Sequence, residues 1–428
     1  MHGWLAHLGT GPMAGSFADV DLYRRWVEAG LTEGTWPVLD GPWVYPAGAL
    51  LPILAPAVVG VTDAAPYAEA WCVLVTLLGA AAVALLLRAP RGHLAATWWL
   101  AFTALLGPVA MGRLEGVAAP LSIVALLLAL RHPRAATALV TVAAWIKVAP
   151  GAAALPLLVA ARRPWRDVVV PGLVVCAVVV GTVVALGGGA EVASFVRQQE
   201  TRGLQVEAVA ATPWLVAGLW TPTIRRDFDL VLITYEIHGP GTQATADALG
   251  ALLPLAVLAV TGLLWWRRRQ HGPRFWTEEL PRLEVVLRGT FVLTLVLVVV
   301  NKVGSPQYMA WLAPPVAVAL ALGAPRWGRS ALGLLGAAAA TQWVYPWWYS
   351  EVIAGLPWTT SVLAARNVAL VVLLVVAVRH LVRPWDAGPQ DATSAAGGSP
   401  AADASGAVRG QPGQEVGLGA AVVDRGVG

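Results

Sequence analysis

The feature that most constrains this chain is a succession of apolar stretches, each long enough to cross a bilayer. A membrane-spanning helix needs about 20 apolar residues, within a range of about 17–25. The sequence offers such stretches at 67–88, 94–111, 114–131, 166–187, 246–266, 285–301, 307–323, 330–346 and 361–379. Charged residues make up only 13% of the chain and hydrophobic ones 57%, whereas a soluble domain carries about 25% charged residues. An ordinary soluble enzyme, a disordered chain and a fibrous repeat are therefore excluded. The expectation is an all-α, polytopic transmembrane helical bundle with about 10–12 membrane helices, some of them short and broken.

Two stretches do not fit a simple span. Residues 46–62 are apolar but short and carry Pro46, Pro52 and Pro56. Residues 135–161 look like one span but hold Lys147 and Pro150 near the middle. A lysine at the bilayer centre costs at least about 2.5 kcal/mol. Arginines flank both ends of that stretch, at 131 and 134 and at 162, 163 and 166. The reading that satisfies both facts is an entering and a returning short helix, meeting near Lys147–Pro150 on the far side. Irregular backbone at that depth must line protein or a water-filled cavity.

With that choice the orientation is the same along the whole chain. The inside portions carry 19 of the 29 Lys and Arg but 9 of the 25 Asp and Glu, as the positive-inside rule requires. Residues 1–66 form an external N-terminal segment, 67–383 the membrane domain with a long external loop at 188–245, and 384–428 a disordered cytoplasmic tail rich in Ala, Gly, Ser and Pro. The net charge of +4 belongs to cytoplasmic loops and does not indicate nucleic-acid binding. Cys72 and Cys176 each lie in an apolar run, which excludes a disulfide framework and a zinc site. Residues 1–15 make no signal peptide, no internal repeat is evident, and the Gly187–Gly189 run lacks the Lys-Ser/Thr of a phosphate-binding loop.

Polar chemistry collects on the predicted outer face in six places. Asp19 and Tyr23 share one helical face, and Asp21 and Arg25 another. A carboxylate beside apolar walls can act as a general base, and a solvated amphipathic helix is the competing reading. Trp43, Tyr45 and Pro46 form an entry to residues 47–60, read either as an aromatic belt or as a sugar-stacking surface. Arg113 and Glu115 sit in a tight turn, as a snorkelling cap or as site residues. Lys147 before Pro150 puts an ammonium near free backbone N–H groups, which attracts phosphate. Ser305-Pro306 reads as an N-cap and first-turn proline opening helix 307–323, with Lys302 beside its positive end and Tyr308 and Trp311 on one face. Residues 341–349 form an aromatic-rich helix exit, read as a belt. In the long loop, 190–204 can form a surface helix.

The order of these motifs resembles the GT-C glycosyltransferases, above all glycosyltransferase family 87, the actinobacterial membrane mannosyltransferases. The matching residues are Asp19 and Tyr23, Tyr45-Pro46, Lys147 and Pro150, and Lys302, Ser305, Gln307, Tyr308 and Trp311, spread over residues 17–380. The resemblance implies a hexosyltransferase of the cell membrane. It would move a sugar, mannose first among candidates, from a polyprenyl-phosphate donor to a hydroxyl of a glycolipid or polysaccharide on the outer face. Asp19 occupies the catalytic position and Asp21 is the alternative. Tyr23, Tyr45, Arg113, Lys147, Lys302, Ser305, Gln307 and Tyr308 would hold substrate or phosphate. Two cationic groups can hold a lipid monophosphate, so no metal and no further cofactor is expected. Family members carry a membrane helix before the aspartate loop, and the 18 residues ahead of Asp19 are too few to supply one. A lipid-linked saccharide transporter is disfavoured, because a transporter places its ionisable residues at the midplane. An inactive relative of the same fold is the third reading.

Overall fold

The computed structural model describes residues 1–200, 202–230 and 233–383. The tail expected from 384 lies outside the described residues. Met1–Arg383 form one compact unit, built of helices with one small hairpin. Five of these helices are long and apolar enough to span a membrane: Ala64–Leu86, Gly92–Ala110, Trp165–Ala185, Thr242–His271 and Pro357–Val382.

The order begins with α1 (His2–Thr10), α2 (Ala18–Glu33) and the short α3 (Leu50–Leu54). Then come α4 (Ala64–Leu86), α5 (Gly92–Leu106), α6 (Glu115–Leu128), α7 (Pro133–Ile146), α8 (Ala154–Ala160) and α9 (Val170–Ala185). The long loop holds α10 (Ser194–Glu200), α11 (Thr212–Ala217) and strands β1 (Arg225–Asp229) and β2 (Thr234–His238). The chain closes with α12 (Thr242–His271), α13 (Arg274–Thr277), α14 (Glu279–Val299), α15 (Met309–Ala321), α16 (Gly328–Gln342), α17 (Tyr349–Ala354) and α18 (Pro357–Val382). Helices α14 and α15 are buried on nearly every face, the mark of helices at the heart of a bundle. Several spans expected at full length are shorter here: 115–128, 309–321 and 328–342. Burial by neighbouring helices, not lipid contact, accounts for much of their apolar character.

The break in 135–161 is present. Helix α7 ends at Lys147, whose backbone is extended at φ −151° and ψ 128°. The chain then turns through Ala149–Ala153, with Pro150 in the first turn, into α8. The return is visible at the far end. Arg134, at the start of α7, pairs with Asp167 beyond α8 at 3.3 Å, and Thr137 donates to the Asp167 carbonyl at 3.1 Å. Lys147 therefore sits at the tip of a helical hairpin. Residues 47–59 are short turns pinned to α4 by Tyr67, which donates to the Ile53 carbonyl.

The long loop departs from a purely helical expectation. β1 and β2 pair antiparallel, Arg225 opposite His238 and Asp229 opposite Thr234. Surface helix structure is confined to Ser194–Glu200, a part of the 190–204 stretch proposed from sequence. Residues 204–206 lie along β2: the Ile237 N–H donates to the Leu204 carbonyl at 2.8 Å and the Val206 N–H to the Tyr235 carbonyl at 3.1 Å.

Candidate active site

Connectivity places the starts of α2, α6 and α15, the ends of α7 and α16, and the long loop at one end of the bundle. Asp19 opens α2, where an acidic group complements the helix dipole. Its carboxylate forms an ion pair with Arg113 of the turn before α6. The Arg113 side chain is 8% exposed and Asp19 is 26% exposed, so the base candidate keeps an open side. A second Arg113 amino group donates to the Tyr345 hydroxyl at 3.2 Å, which donates in turn to the Gly15 carbonyl at 2.9 Å. Three distant parts of the chain thus fix one carboxylate and its counter-ion.

Asp21 stands elsewhere. Two residues along a helix point away from each other, and Asp21 accepts from Arg24 and Arg25, each at 2.9 Å. Burial raises its pKa, but the hydrogen bonds and charges of Arg25 and Arg24 together outweigh this and hold its carboxyl below the ordinary value. The structure gives Asp21 a structural partner set and separates it from Arg113. Tyr23 is fully buried among Trp26, Tyr45 and Trp71. It builds the wall behind the site and presents no surface to a ligand.

Lys147 was expected as a bare cation beside open N–H groups. It has an internal counter-ion instead. Its ammonium lies 3.2 Å from Glu115 in the first turn of α6, and Glu115 is 1% exposed. The same Glu115 oxygen accepts from the Trp311 indole at 3.2 Å. Lys147 also sits 4.5 Å from the centre of the Tyr45 ring, and Tyr308 stacks on Trp311 with centroids 3.8 Å apart. An ammonium this deep must be paired or neutral, which is why an acid accompanies it. Trp43 is buried against Trp26 and Tyr45, so the belt reading of this entry gives way to an inward-facing aromatic wall.

Ser305 occupies the N-cap position before Pro306, in extended conformation, but its side chain makes no capping hydrogen bond. The expected cap is a backbone feature here: the Ser305 carbonyl accepts from Tyr308 at 3.1 Å. Gln307 is nearly buried. Lys302 is half-buried, and its carbonyl accepts from the Gln205 N–H at 2.9 Å, tying the long loop to this turn.

Sequence reasoning missed several participants. The Arg113-Leu114-Glu115 turn reads from sequence as a snorkelling cap or as site residues, and nothing in it names Lys147 as the partner of Glu115. Tyr345 was assigned to a belt with its neighbours; Trp347, Trp348 and Trp358 do face outward, and only Tyr345 turns to Arg113. Glu207 and Arg366 carried no motif, yet they pair at 3.3 Å, with Arg366 also donating to the Glu207 carbonyl at 2.8 Å. Burial pushes the Glu207 carboxyl up, and Arg366 and then Arg113 pull it back.

Beside the Glu115–Trp311 contact lies a small apolar cavity of about 20 Å³, lined by Ala118, Ser122, Pro150, Trp311 and Pro314 among others. Among the described residues no three His, Cys, Asp or Glu side chains gather as a metal set. The family model of glycosyltransferase family 87 matches residues 43–280, more than half of the chain. The chain belongs to glycosyltransferase family 87. No curated protein and no solved structure matches it. This family 87 protein is thus a glycosyltransferase built on membrane helices. The matched span holds Tyr45, Arg113, Glu115, Lys147 and Glu207, whereas Asp19, Tyr308 and Trp311 lie outside it. The fold brings the two sets together.

Proposed function

We propose that this glycosyltransferase moves a hexose, mannose first among candidates, from a polyprenyl-phosphate donor to a hydroxyl of a glycolipid or polysaccharide acceptor at the outer face of the cell membrane. The observation that carries this reading is the meeting of Asp19–Arg113 and Lys147–Glu115 at one end of the bundle. Transfer from a lipid-linked phosphate donor needs a base and cations near the leaving phosphate, and both gather here. The distribution of basic residues supports an outward-facing site.

In this scheme Asp19 accepts the proton of the acceptor hydroxyl. The acceptor oxygen bonds to the anomeric carbon from the side opposite the phosphate. The carbon–oxygen bond to phosphate breaks, its electron pair leaves with the polyprenyl phosphate, and the configuration inverts. Lys147, Lys302 and the N-terminal turn at Ser305–Tyr308 stabilise the departing charge. Arg113 and Tyr345 orient Asp19, and Glu115 positions Lys147. Tyr45 and Tyr308 supply aromatic faces for the sugar.

The test is transfer from radiolabelled polyprenyl-phosphate mannose to endogenous lipid acceptors in membranes holding wild type or Asp19→Asn. Transfer in wild type that is lost in the variant, at equal protein level, supports the reading. Equal transfer in both removes Asp19 from the chemistry. Transfer from another polyprenyl-phosphate sugar alone changes the hexose and keeps the mechanism.

A further inference from the structure

Three cations at the site end are already matched by carboxylates: Arg113 by Asp19, Lys147 by Glu115 and Arg366 by Glu207. Arg202 differs. Among the described residues no carboxylate lies within ion-pair distance of it, and its Nε, like those of Arg113 and Arg226, is buried without a hydrogen-bond partner. Buried polar groups are ordinarily hydrogen-bonded, so an exception calls for an explanation. Its charge lies within electrostatic reach of Tyr45, Lys147 and Tyr308, and its loop is tied to the Lys302 turn by the Gln205 N–H.

The backbone that presents Arg202 is held from several sides. The Gly203 N–H donates to Glu236 at 2.8 Å. One carboxylate beside this backbone is thereby engaged by an N–H group. Residues 204 and 206 bond to β2, the Gln205 N–H donates to the Lys302 carbonyl, and the Gly304 N–H donates to the Gln205 side chain at 3.3 Å. Arg366 fixes the Glu207 carbonyl from below. Two glycines permit these close approaches. A Cβ on Gly203 would lie 2.3 Å from a Glu236 oxygen, and one on Gly304 2.2 Å from the Ala208 nitrogen. So much fixation of a loop around one unmatched arginine is the signature of a prepared binding group rather than of a solvated side chain.

We propose that Arg202 is the group that receives the phosphate of a lipid-linked donor, an assignment that rests on the donor chemistry proposed above. The three matched pairs cancel, so Arg202 adds one whole positive charge. A sugar phosphodiester carries one negative charge, and the guanidinium fork matches two of its oxygens. When the bond to the sugar breaks, the phosphate gains a second charge, and the fixed arginine stabilises it more than before. Lys147, held by Glu115 and against the Tyr45 ring, adds its local stabilisation of the departing charge to that of Arg202.

The experiment measures binding of farnesyl phosphate, with farnesol as the neutral control, to the full chain in lipid nanodiscs. Wild type, Arg202→Gln and Arg202→Lys are compared. The expected result is a preference of wild type for the phosphate, weakened about 10- to 100-fold in Arg202→Gln and largely restored in Arg202→Lys. Farnesol binding stays the same in all three. Equal phosphate affinity in wild type and Arg202→Gln overturns the assignment. Displacement of farnesyl phosphate by equimolar inorganic phosphate overturns its lipid-linked part. The transfer assay is scored separately. Phosphate binding that depends on Arg202 in a protein that transfers no sugar would sink the proposed activity and leave Arg202 in place. Transfer that is indifferent to Arg202→Gln would do the reverse.

Discussion

The two ends of this bundle handle positive charge in opposite ways. At the end holding Asp19, arginine and lysine meet carboxylates from distant parts of the chain, as in Arg113–Asp19, Lys147–Glu115 and Arg366–Glu207. At the other end, Arg134 and Arg288 have carboxylate partners, but many arginines find backbone and indole. Arg268 lies 4.6 Å and 4.7 Å from the Trp265 and Trp276 rings and donates to the Val159 carbonyl at 3.2 Å. Arg162 donates to the Trp276 carbonyl, Arg267 to that of Arg383 and Arg282 to that of Ala160. Carbonyls at helix C-termini accept hydrogen bonds without cancelling charge. The far end therefore stays net positive, as an anchor to anionic lipid requires. At the near end Arg113, Lys147 and Arg366 are balanced pair by pair, so that these three cations are held in place and one added charge has a large effect.

This contrast can be broken by substitution. The largest effect falls on Asp19→Asn, expected to slow sugar transfer by about 10²- to 10⁴-fold, the usual range for a general base, with thermal unfolding shifted little. Next is Glu115→Gln. It leaves Lys147 buried without its acid, at a cost of about 3–5 kcal/mol, read as a lowered unfolding midpoint. The double change Glu115→Gln with Lys147→Met should recover most of that stability without recovering transfer. A double variant no more stable than the single one would refute the pairing. Glu207→Gln tests the third pair: the loop at 202–208 should become open to limited proteolysis while the α4–α6 region stays protected.

Smaller effects sharpen the comparison. Tyr345→Phe removes one hydroxyl between Arg113 and Gly15, worth about 1 kcal/mol, and should reduce transfer about tenfold at unchanged donor affinity. Arg268→Ala at the far end should cost about 1 kcal/mol of stability or less and leave transfer within about twofold. Asp21→Asn should change stability by less than about 1 kcal/mol, because Asp21 and Arg25 are partly in solvent. The Asp21 carboxyl is held below its ordinary value. Its contribution is therefore present above the ordinary carboxylate range and fades as pH falls through the lower folded value. A stability loss in Asp21→Asn that persists in strong acid would contradict this.

What the sequence determined by itself is the solvent and the secondary structure. Apolar length fixed a helical membrane bundle, because backbone groups in lipid must bond within their own segment. Lys147 and Pro150 between two arginine clusters required the α7–α8 hairpin, because neither a central charge nor a proline suits a straight span. The charged and aromatic residues at positions 19, 45, 147 and 308 were legible as candidates, because ionisable and ring-bearing residues near a membrane surface are few. What only the tertiary structure decided is their partners. Nothing local says that Arg113 meets Asp19 and Tyr345, or that Glu115 rather than a ligand answers Lys147. Asp19 and Asp21 look alike in sequence, and only packing against the 111–114 turn turned one toward the site and left the other to Arg24 and Arg25. Tyr345 left its aromatic neighbours, and Arg202 acquired its place from a loop without any motif. Pairing between residues on different helices depends on which helices pack together, and periodicity along one helix carries no record of that choice.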